Sequence, residues 1–207
     1  MRLHIPNVVV VDDGSRDNTA QLAAKAGAMV VSHPRNFGKG AAVKTGLTTA
    51  MQKGFDWAVL LDGDGQHRPD DIPVFLQKAE TTSAALVIGN RMHDALSIPW
   101  LRRQANRWMS RQISRRVGRN LPDTQCGFRL VDLKIWAALP CRACRFEVES
   151  EMLLAFLDAG CRVDFVPIQV IGRAAHSHIN PLTDFWRWHR WWFSLPADRR
   201  VLNPFAA

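Results

Sequence analysis

Two short acidic turns hold the residues best suited to chemistry. Asp62-Gly63-Asp64-Gly65-Gln66 sets two carboxylates two residues apart, directly after the apolar run Trp57-Ala58-Val59-Leu60-Leu61. Paired carboxylates in that place suit a hard divalent cation, Mg²⁺ or Mn²⁺, that itself grips phosphate oxygens. A solvated turn is the competing reading, because Asp and Gly favour turns on their own account. Asp12-Asp13-Gly14-Ser15 is a second acidic turn, again following an apolar run, Val8-Val9-Val10-Val11. Glu147, Glu149 and Glu151 alternate ahead of Met152-Leu153-Leu154-Ala155-Phe156-Leu157. A buried acid there, or Asp123, suits the base that would deprotonate an acceptor hydroxyl. The same alternation fits a strand edge or a capped helix start. Gly38-Lys39-Gly40 is not a Walker loop, since the GK[ST] ending is missing.

The elements that must position these residues alternate along the first 90 positions. Strands are expected at Val8–Val11, Met29–Val31, Trp57–Leu61 and Ala85–Gly89. Helices are expected from a cap at Asp17, Asn18 or Thr19 to Gly27, from Ala41 to Lys53, and from Asp70 to about Glu80. Continuous apolar strands alternating with helices predict an α/β fold, a mostly parallel sheet covered on both faces. Both acidic turns then lie beyond carboxyl ends of strands, where open α/β sheets bind ligands.

Read together, these segments resemble a family. Val9-Val10-Val11-Asp12-Asp13-Gly14-Ser15-Arg16-Asp17-Asn18-Thr19 is similar to the VDDGSxDxT signature of family-2 glycosyltransferases with the GT-A fold. Asn36-Phe37-Gly38-Lys39-Gly40-Ala41-Ala42 resembles their N-x-GKG-x-A segment, and Asp62-Gly63-Asp64-Gly65-Gln66-His67 their DxDxQ metal motif. Asp123-Thr124-Gln125-Cys126-Gly127-Phe128-Arg129 resembles the D-x-x-x-GFR segment of the dolichyl-phosphate mannose synthase branch. The resemblance implies that Asp12, Asp13 or both meet the base or ribose of a nucleoside-diphosphate sugar, UDP- or GDP-linked. It implies that Asp62 lies near ribose and metal, and that Asp64 and Gln66 ligate the cation directly or through water. Lys39 would add charge near the nucleotide. Arg91 and Arg173 would pair phosphate oxygens, as the planar guanidinium fork does well; a surface ion pair is the alternative for each. His176 and His178 would touch metal or phosphate, or be solvated in their loop. Asp64, Asp123, Arg129, Glu149 and Glu151 are the implied catalytic candidates. The family's opening βα unit and its P-x-Y-N-E-like turn are absent ahead of Asp12, so an N-terminally shortened domain is expected.

Composition narrows the partners. The 207 residues carry 27 Lys plus Arg against 19 Asp plus Glu, a formal charge of +8. Hydrophobic content of 47% excludes a disordered chain, and no apolar stretch reaches the length of a membrane span. With no recognisable export signal, the four cysteines are expected as reduced thiols, and the Cys141/Cys144 pair lacks the second half of a zinc site. Positions 98–120 hold seven arginines and no acid, beside an apolar stripe of Leu101, Ala105, Trp108, Met109, Ile113 and Val117. That pattern reads as a basic helix in a membrane interface, or as a packing helix with a solvated basic face. Nucleic acid is not expected as a partner, since no binding motif accompanies the charge. Four of the eight tryptophans crowd into positions 186–192, which must be buried or embedded.

The expectation is therefore one GT-A domain over residues 1–180, with a Trp/Arg-rich membrane-proximal tail over 181–207. It would move a sugar, with metal and with inversion, to a lipid-linked acceptor at the cytoplasmic face of a membrane. Polyprenyl phosphate needs no base, whereas a hydroxyl acceptor would. A membrane-surface scaffold on a degenerate transferase fold is the non-enzymatic alternative.

Overall fold

The computed structural model describes residues 4–92, 98–141, 143, 145–171 and 181–196. The first half follows the alternation. Strand β1 (Val9–Asp12), helix α1 (Thr19–Lys25), β2 (Met29–Ser32), α2 (Lys39–Gln52), β3 (Trp57–Leu60), α3 (Ile72–Thr82) and β4 (Leu86–Asn90) come in order. The second half adds α4 (Trp100–Val117), β5 (Arg129–Asp132), α5 (Leu133–Ala138), α6 (Val148–Asp158), β6 (Val163–Pro167) and α7 (Pro181–Ser194). Asp132 ends β5 and caps α5, its carboxylate accepting from the N–H groups of Lys134 and Ile135.

The strands form two sheets. β1 and β2 make a parallel pair, and the other four run in the order β3-β5-β4-β6. β4 and β6 are parallel, but β5 lies antiparallel to both β3 and β4, so the four-stranded sheet is mixed where a mostly parallel one was expected. β5 is not the end of a simple βαβ crossover. It follows the long excursion through α4 and enters the sheet from the opposite end. Helix α2 packs on both β1 and β3 and so joins the two sheets. β1 and β3 each pair on one side only among the described residues.

The core lies around the four-stranded sheet: Leu86, Val87 and Ile88 of β4, Leu130 and Val131 of β5, and Leu153 and Phe156 of α6 are buried together. Phe75 of α3 stacks on Phe128 at 4.1 Å between centroids. The apolar stripe of α4 belongs to this core. Met109 and Ile113 are buried, and Ala105, Trp108 and Val117 pack against them. The reading of that stripe as the membrane-facing side is thereby corrected from Ala105 to Val117, which the helix turns inward with arginines left outside; Leu101, at the helix start, stays exposed. The tryptophan cluster is also largely a packing device. Trp188 is 3% exposed, donates to Ser150 Oγ at 2.8 Å and stacks on Trp192, which holds α7 against α6 and α4.

Candidate active site

Each acidic turn is built by what surrounds it. Asp12, at the end of β1, is buried and accepts from the Ser15 N–H at 3.0 Å. Gly14 has φ +73°, and a Cβ there would stand 2.5 Å from the Arg35 carbonyl carbon, so only glycine closes this turn. Asp13 is internally engaged. It accepts from the Phe37 and Gly38 N–H groups at 2.9 and 2.8 Å and meets His33 Nδ1 at 2.7 Å. Partial burial works to raise its pKa, yet the His33 and main-chain hydrogen bonds outweigh this and hold it below the usual range. Asp13 ties the loop before α2 to β1, leaving Asp12 as the nearer candidate for a nucleoside.

The second turn rests on a buried charge cluster. Lys39, the first residue of α2, reaches Asp62 Oδ1 at 2.7 Å and Glu149 Oε1 at 2.5 Å. Burial alone would lower the Lys39 pKa, but the two carboxylates reverse the shift and raise it. Burial likewise opposes ionisation of Asp62, and the Lys39 charge overcomes it, bringing Asp62 down to about 2. Gly127 makes the approach possible. A Cβ on it would lie 2.6 Å from Asp62 Oδ2 and 2.9 Å from Lys39 Nζ. Asp64 is exposed, and its Oδ1 accepts from the Gln66 N–H at 3.0 Å.

Asp62, Asp64 and Gln66 offer side-chain oxygen donors from a single turn. That donor set fits Mg²⁺ or Mn²⁺ bound by one or two carboxylates, with substrate phosphate and water completing the shell. No group of three or more His, Cys, Asp or Glu that could hold a metal ion forms among the described residues.

A recess adjoins this turn, lined by Gln66, His67, Arg91, Ile98, Pro99 and Arg102. Arg91 does not stand free there. Its Nε and Nη2 donate to Asp123 at 2.8 and 3.0 Å, a buried bidentate pair that outweighs the burial penalty and raises the Arg91 pKa. Arg102 is pushed down by burial and by the Arg91 charge. His67 is buried against Phe128, with burial lowering its pKa, and its Nδ1 has no hydrogen-bond partner among the described residues. Sequence reasoning missed Arg102 and His67. His67 adjoins Gln66 in the motif, whereas Arg102 is hidden among six other arginines.

The remaining candidates are structural in placement. Arg129 is buried and donates to the main-chain carbonyls of Cys126, Glu149 and Thr124 at 2.8, 2.6 and 3.1 Å, tying the segment before β5 to the start of α6. Glu149 and Glu151 stand in the first turn of α6, so their alternation marks a helix start. Glu151 Oε2 accepts from the Ala143 N–H at 2.6 Å. Burial raises the Cys126 thiol to about 11, which suits packing rather than reaction. Arg173, His176, His178 and Cys144 lie outside the described residues.

The profile of Glycosyl transferase family 2 matches residues 5–138. The chain belongs to that family. It is therefore a glycosyltransferase, as the order of its motifs predicts. A UDP-N-acetylglucosamine–dolichyl-phosphate N-acetylglucosaminyltransferase of Methanococcus voltae is 30% identical over 187 residues, covering 80% of this chain and 74% of the relative. An undecaprenyl-phosphate 4-deoxy-4-formamido-L-arabinose transferase of Pseudomonas fluorescens is 36% identical over 149 residues, covering 67% of this chain and 41% of the relative. Among solved structures, glucosyl-3-phosphoglycerate synthase of Mycobacterium tuberculosis superposes with a TM-score of 0.68 at 21% identity, over 89% of this chain and 65% of that one. A complex of the same synthase, with a TM-score of 0.61 at 20% identity over 88% of this chain, holds Mn²⁺ and UDP-glucose. These superpositions show the GT-A fold. The family-2 chain spans just under two thirds of the synthase's length.

Proposed function

We propose that the chain transfers a sugar from a nucleoside-diphosphate donor to a polyprenyl phosphate, with a divalent cation and with inversion, at the cytoplasmic face of a membrane. Asp12 would hold the nucleoside, and Asp62, Asp64 and Gln66 the cation. Lys39 would act indirectly, by fixing Asp62. The metal would neutralise the diphosphate as it leaves. An acceptor phosphate oxygen forms the new bond to the anomeric carbon while the bond from that carbon to the β-phosphate oxygen breaks. The leaving diphosphate takes the electron pair, and no proton need be moved.

One observation carries the choice of acceptor. Asp123, Glu149 and Glu151, the acids suited to deprotonating a hydroxyl, are each bound: to Arg91, to Lys39 and to the Ala143 N–H. An anionic acceptor needs no base, and the recess where Arg102 stands beside the Arg91–Asp123 pair offers it the Arg102 guanidinium. The relatives named for dolichyl and undecaprenyl phosphate support the same reading. No helix of the described residues is long and apolar enough to cross a membrane.

The test is sugar transfer from UDP- and GDP-sugars to a short-chain polyprenyl phosphate and to the matching polyprenol, with Mn²⁺ or with chelator. Transfer to the phosphate alone, abolished by chelator and by Asp64→Ala, is the expected result. Transfer to the alcohol would overturn the acceptor, and binding of neither donor would favour a scaffold.

A further inference from the structure

Among the described residues, the outer face of α4 is exposed. Asn106, Met109, Ser110 and Ile113 are spent on the interior. The face left outside opens with Trp100 and Leu101, 61% and 68% exposed. Beyond Gln104 it continues as Arg107, Arg111 and Arg115, all exposed and four residues apart, which places them in one row. α4 contains no acid.

The apolar end of this face adjoins the arginine-lined recess. Ile98, Pro99 and Arg102 line that recess, and Trp100 and Leu101 stand between them in sequence. Ile171 is 50% exposed, and its N–H donates at 3.0 Å to the carbonyl of Gln66, another lining residue. Exposed apolar side chains from two distant parts of the chain thus neighbour a cationic recess. A freely diffusing anion gains nothing from such a rim. A lipid leaflet matches it, with acyl chains for the apolar tip and headgroup phosphates for the arginine row.

We infer that Trp100, Leu101 and Ile171 insert into an anionic leaflet while Arg107, Arg111 and Arg115 lie on its headgroups, so that the recess holding Arg91 and Arg102 opens at the depth of lipid phosphates. α4 meets the membrane tip first, not along its apolar stripe. The inference rests on the lipid-phosphate reading above and adds the surface by which the protein reaches that lipid.

The test uses the full chain with phosphatidylcholine vesicles, with and without phosphatidylglycerol, at low salt. The wild type should float with the anionic vesicles only. Trp100→Ala/Leu101→Glu should bind them about tenfold more weakly with its melting temperature unchanged, because both sites are exposed. Brominated lipid should quench wild-type fluorescence more than that of Trp100→Phe. Equal flotation of wild type and double variant overturns the inference, as does concentration-dependent self-association that the double variant loses, which would assign the tip to a second copy. Calorimetric binding of UDP and GDP with Mn²⁺, without vesicles, separates the two readings. Nucleotide binding without flotation removes only the membrane tip, whereas tip-dependent flotation without nucleotide binding removes only the donor site.

Discussion

Gly127 and the Arg91–Asp123 pair show how single residues set this site. Gly127→Ala must push a methyl group into Asp62 and Lys39, so it should cost about 1–3 kcal/mol by urea unfolding and weaken Mn²⁺-dependent nucleotide binding. Arg91→Met strands a carboxylate, since Asp123 is wholly buried. A loss of about 3–5 kcal/mol is expected from that uncompensated charge, and Arg91→Met/Asp123→Leu should recover part of it. Asp62 ties stability to pH. Its pKa falls from 3.8 to about 2 on folding, so its contribution is complete above the unfolded value and disappears as pH drops from about 4 to about 2. The stability gap between wild type and Asp62→Asn should therefore shrink across that window in urea titrations. Composition and spacing revealed the acidic turns, but not which acids were already taken. The partners of Asp123 and Glu149 stand 32 and 110 positions away in sequence, and only the fold brings them near.

At the scale of elements, the legible ones were those with a single plain signal. β1, β3 and β4 are unbroken apolar runs, and α2 and α3 sit between recognisable starts and stops. β5 was hidden because Arg129-Leu130-Val131-Asp132 opens and closes on charges; Arg129 is buried only because three carbonyls receive its donors. β6 was hidden by Asp164 and by Pro167 at its end. The stripe of α4 was visible, but its destination was not, since core and membrane demand the same apolar periodicity. α7 offers a direct test of packing. Trp188→Ala should cost about 3–5 kcal/mol by denaturation, and Ser150→Ala about 1 kcal/mol, if the indole hydrogen bond and the stack on Trp192 hold that helix down.

Across the whole molecule, the two sheets are unequal partners. β4 is buried over Leu86–Gly89, whereas β1 and β2 are mostly half-buried and α1 has no buried residue. Segments with so little buried surface open independently of the rest. Amide hydrogens of Val9–Asp12 and Met29–Ser32 should therefore exchange with deuterium well before those of Leu86–Asn90. The join through α2 then has a thermodynamic consequence. Asp12 belongs to the loosely held pair and Asp62 to the turn that follows β3 of the four-stranded sheet, so a nucleotide spanning both would brace one sheet against the other. Part of its binding energy would be spent on ordering β1 and β2, and its presence would be written in their slowed exchange while β4 barely changed.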